Sequence, residues 1–104
     1  MGAEQFYTIV SGKTPQEAFD KAIQEAHHEY GHEGYTGTIA EKDGFGFVMI
    51  PMLQVPEGEE PLTAEEYAVH LIKKCDKRVD DVGGPAGCIQ VGEEEFLFFG
   101  WALC

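Results

Sequence analysis

The sequence predicts a single α+β domain spanning residues 1–104, with one antiparallel sheet carrying two helices on one face. The predicted element order is β-α-β-β-α-β-β, a split βαβ arrangement with an added C-terminal strand. Three observations predict it. Two segments open with a T-x-x-E capping box and continue with apolar residues three and four apart, as amphipathic helices do. Several short β-branched and aromatic runs are bounded by glycine-rich turns. At 104 residues and 43% hydrophobic content, the chain can bury one core and is too short for two lobes with a cleft between them.

"QFYTIVS" (5–11) has no helical period and reads as the first strand. In "GKTPQEAF", Thr14 can cap a helix, Pro15 suits its first position and Glu17 closes the box. Phe19, Ala22, Ile23, Ala26 and Tyr30 then form one apolar stripe, and Gly31 and Gly34 end the helix. "YTGTIAE" (35–41) and "FGFVMIPM" (45–52) read as strands joined by Lys42-Asp43-Gly44, an Asp-Gly hairpin signal. "LQVPEGEEP" (53–61) is a loop. The second helix opens at Thr63 with Glu66 in its box and Leu62 and Tyr67 placed as a hydrophobic staple. Its stripe is Ala68, Leu71, Ile72, Cys75 and Val79, closed by Gly83-Gly84. "GCIQV" (87–91) and "EFLFFGWAL" (95–103) flank the turn Gly92-Glu93-Glu94. The last run alternates too little for a strand with one wet face. It is expected at the sheet centre, or against a second copy of the chain in a homodimer.

Nineteen acidic residues against seven basic ones give a formal net charge of −12. Such a chain repels nucleic acid and anionic membranes and is drawn to basic protein surfaces. No apolar run approaches the roughly 18 residues that cross a bilayer. The start, Met1-Gly2-Ala3-Glu4-Gln5, has no basic-then-apolar pattern, so no secretory signal is expected. Phe6 stands where an N-myristoylation signal needs Ser or Thr. Three irregularly spaced cysteines, Cys75, Cys88 and Cys104, fit reduced thiols in a cytoplasm.

His28-Glu29-Tyr30-Gly31-His32 spells H-E-x-x-H, the zinc-peptidase pattern in which two histidines bind metal and the glutamate serves as general base. At 100° per residue, His28 falls about 180° and His32 about 220° from Phe19, away from the core stripe. No third histidine follows at the extended spacing, and Gly31 and Gly34 unwind the helix there. No cofactor is expected. A zinc hydrolase using His28, His32 and Glu29 stays as an alternative to a non-enzymatic role.

Two further clusters bear on function. "GYTGT" (34–38), with Tyr35, Thr36 and Thr38, could combine with Lys73, Lys74 and Arg78 of "KKCDKR" to hold a small nucleotide signal. Against this, the turn follows a helix C-terminus, where the dipole opposes an anion, and cations are ordinary near a helix end. Cys75 is expected on the core stripe and inert. The acidic groups Glu57, Glu59 and Glu60, with Glu93, Glu94 and Glu95, lack a calcium-loop pattern and suit a negative surface facing a basic partner.

The block "EYGHEGYTGTIAEKDGF" (29–45), after the "TPQEAFDKAIQEA" helix, resembles small uncharacterised proteins of tailed bacteriophages. The resemblance covers about a third of the chain and implies a setting: an accessory protein made in a bacterial cytoplasm. The expected function is stoichiometric binding that inhibits or modulates a host protein, for anti-defence or host takeover, by occupying a basic nucleic-acid-binding surface. No direct contact with nucleic acid or membrane is expected.

Overall fold

The computed structural model describes residues 3–30, 39–42, 45–51, 63–80 and 84–103. The chain is an α+β fold built on a four-stranded sheet: β1 (Ala3–Ser11), β2 (Phe47–Met49), β3 (Ala86–Gly92) and β4 (Glu95–Leu103), in spatial order β1-β4-β3-β2. Helices α1 (Pro15–Tyr30) and α2 (Ala64–Lys73) complete it. As expected, the aromatic β4 is central, antiparallel to both β1 and β3. Its consecutive residues Phe96, Leu97, Phe98 and Phe99 are all at most 2% exposed, so neither face of the strand is wet.

Alternate residues of β4 serve two separate cores. Phe96, Phe98 and Ala102 join Phe6 and Val10 of β1 and the α1 stripe of Ala18, Phe19, Ala22, Ile23 and Ala26. Leu97 and Phe99 join Ile50, Ile89 and the α2 residues Tyr67, Ala68, Leu71 and Ile72. Because successive strand residues point to opposite faces, α1 and α2 cover opposite faces of the sheet. The α+β class and the two-helix composition hold, while the expected placement of both helices on one face is corrected. The topology supplies the reason. β1, β2 and β3 run parallel to one another, since β2 pairs parallel with β3 and β1 and β3 both oppose β4. The connection through α1 crosses the sheet from one edge to the other, and the connection through α2 steps back by one strand. Crossovers of one hand that travel in opposite directions place their helices on opposite faces.

The sheet is also mixed and not wholly antiparallel, which corrects a second detail. The hairpin expected from 35–41 and 45–52 does not form among the described residues. Ile39–Lys42 is a 3-10 turn, and Phe47–Met49 pairs with Ala86–Cys88. In a 3-10 turn, residues three apart lie on one side. Ile39 (2% exposed) and Lys42 (0%) therefore both turn inward, and Lys42 Nζ donates to the Gly84 carbonyl at 3.0 Å. Phe47 then packs with Phe19 and Phe98 at ring-centroid separations of 5.2 and 5.7 Å, tying β2 to α1 and β4.

Both helix starts follow the sequence. Thr14 Oγ1 accepts from the Glu17 N–H at 3.1 Å, while the Glu17 carboxylate accepts from the Lys13 N–H at 3.0 Å. Thr63 and Glu66 form the full reciprocal box. Leu62 of the expected staple and the loop at 53–61 lie outside the described residues. The end of α2 departs from expectation. Asp76 N–H donates to the Leu71 carbonyl and Cys75 N–H to that of Ile72, a Schellman ending with Cys75 at φ 56°. The helix stops at Lys73, well before the glycine pair, and Cys75 is exposed instead of lying on the core stripe. One glycine is required by packing: a Cβ on Gly87 would lie 2.6 Å from Phe99 Cζ and 2.7 Å from Val79 Cγ1.

Candidate functional site

The β3–β4 hairpin sets the clearest candidate. Glu93 and Glu94 form the turn and Glu95 starts β4, and all three are exposed. The Gly12 N–H donates to the Glu94 carbonyl at 2.9 Å, fixing the tip against the end of β1. Among the described residues none of the three carboxylates is in an ion pair. The tip lies at the carboxyl ends of β1 and β3, the end from which α1 departs through Lys13, Thr14 and Glu17. Glu57, Glu59 and Glu60 lie outside the described residues.

Two members of the basic cluster are paired with Asp76 of the same segment. Arg78 donates to Asp76 through Nε and Nη2, each at 2.9 Å, and Lys74 Nζ lies 3.8 Å from the same carboxylate. The Arg78 hydrogen bonds, more than its charge, hold the Asp76 carboxyl down at about 2, and the same bonds raise Arg78. A bidentate pair of this kind satisfies the guanidinium within the chain and leaves less of it for a phosphate. Lys73 sits apart, beside a shallow hollow with Glu65, Glu66, Val69 and His70. Tyr35, Thr36 and Thr38 lie outside the described residues.

His28 is exposed on the outer side of α1, as the helical spacing predicts, while the exposed Glu29 lies on the flank of the helix that faces β1. His32 lies outside the described residues. Among the described residues no three His, Cys, Asp or Glu side chains converge as a metal site would need. Cys88 is buried, and burial pushes its thiol up to about 12, which leaves it no nucleophilic thiolate near neutrality. Cys104 lies outside the described residues.

In open sheets with helices on both faces, a ligand crevice forms where adjacent parallel strands feed opposite faces. Here the two strands that do so, β1 and β2, stand at opposite edges. The second face of β4, whose expected exposure motivated a homodimer, is covered by α2. No described helix is long and apolar enough to cross a membrane. Compared with protein-family models, with curated proteins and with solved structures, the chain matches none.

Proposed function

We propose that this protein is a small acidic binding protein that inhibits or modulates a bacterial host protein by occupying a basic, nucleic-acid-binding surface. The phage-type setting comes from the resemblance of residues 29–45. The observation that carries the reading is the exposed trio Glu93, Glu94 and Glu95, in no ion pair among the described residues, on a tip anchored by the Gly12–Glu94 bond. Each rim carboxylate contributes little alone, about 0–1 kcal/mol, and several together steer association. The bacterial cytoplasm is its proposed compartment. In the test, proteins captured from bacterial lysate are re-bound in purified form across a salt series. Binding should weaken with salt, mainly through the association rate, and weaken again in the triple variant E93Q/E94Q/E95Q. Equal binding at high salt and by the triple variant would remove the electrostatic reading.

A further inference from the structure

β1 is the long outer strand of the sheet, and among the described residues no strand pairs with its outer edge. The opposite edge is only three residues long, whereas β1 runs nine residues in unbroken register from Ala3↔Leu103 to Ser11↔Glu95. It contains no proline, lysine or bulge, the features that commonly protect an edge from added strands. Its two faces differ in chemistry. On the α1 face, Glu25 and Glu29 overhang a hollow of about 320 Å³ floored by Phe6, Thr8 and Ile39. Both carboxylates are exposed, and neither forms an ion pair among the described residues. On the α2 face, Ile9 is 49% exposed, two residues along the strand from the half-buried Tyr7.

We propose that the outer edge of β1 is a docking edge for an extended basic segment of the partner protein, which joins the sheet as a fifth strand. Alternation in an added strand would send cationic side chains toward Glu25 and Glu29 and apolar ones toward Tyr7 and Ile9. Charge complementarity selects this occupant over a second copy, because each copy carries −12 and its own β1 has no cation. The inference rests on the reading that the partner is basic, and adds where and how it binds.

The probe is a nine-residue peptide alternating lysine and valine, with two controls: a glutamate–valine peptide and a lysine–valine peptide N-methylated on the pairing edge. Backbone NMR and amide hydrogen exchange are read on the full chain. The lysine–valine peptide should slow exchange of the outward amides of β1 by about tenfold or more, and both controls should fail to do so. E25Q/E29Q and Ile9→Lys should each weaken the peptide by about threefold or more, since one removes attraction and the other adds repulsion. Protection elsewhere, or equal binding by the N-methylated peptide, overturns the inference. So does a dimer mass with β1 amides already protected without peptide, since a second copy then holds the edge. If the peptide fails while the purified target still responds to salt and to E93Q/E94Q/E95Q, the edge inference falls and the proposed function stands.

Discussion

Replacing Cys75 by glycine should stabilise the fold, and the size of the effect follows from how α2 ends. Cys75 holds φ 56° so that its own N–H and that of Asp76 can reach the Ile72 and Leu71 carbonyls. A residue with a Cβ is disfavoured there by about 1–2 kcal/mol, and glycine is not. Glycine's greater freedom in the unfolded chain takes back about 0.5–1 kcal/mol. The expected net gain is therefore about 0.5–1 kcal/mol, or a few degrees in Tm for a domain of this size. Cys75 is exposed, so truncation forfeits little packing. Urea unfolding of the wild type, Cys75→Gly, Cys75→Ala and Cys75→Val separates the causes. Alanine keeps the Cβ and should stay within about 0.5 kcal/mol of wild type, while the β-branched valine should fall below it. A glycine variant no more stable than the alanine one, at unchanged m-value, would refute the backbone argument.

Paired and buried charges give two further measurable outcomes. Asp76 has its folded pKa depressed to about 2, so its contribution is full above the unfolded value of 3.8 and is lost as pH falls through about 2. With Lys74 and Arg78 half-exposed, solvent screening limits that contribution to about 1 kcal/mol. The stability gap between wild type and Asp76→Asn, read from denaturant midpoints, should close between about pH 5 and about pH 2. A gap that is constant over that window would contradict the pairing. Lys42→Ala should cost about 3 kcal/mol, because it vacates fully buried volume and strands the Gly84 carbonyl. Thermal unfolding within about 2 °C of wild type would show that the site closes up without it.

The features legible in the bare chain were local ones. Thr14 and Thr63 mark helix starts because a cap needs only the next three residues, and the apolar spacing names Phe19, Ala22, Ile23 and Ala26 of α1 and Ala68, Leu71 and Ile72 of α2 as buried, though not the exposed Cys75. The centrality of β4 was legible from its lack of alternation, and the Glu93-Glu94 turn from its flanking strands. Whatever depends on distant partners emerged only in the folded molecule. Lys42 meets Gly84, 42 residues away, which accompanies a 3-10 turn in place of the expected hairpin and leaves Phe47 to pair with Ala86. Asp76 draws in Arg78 through two side-chain hydrogen bonds, although both residues sit within one short segment. The opposite placement of the helices belongs to the order of strands in the sheet. A stripe states that a helix buries one side; only the direction of each crossover decides which face of the sheet it meets.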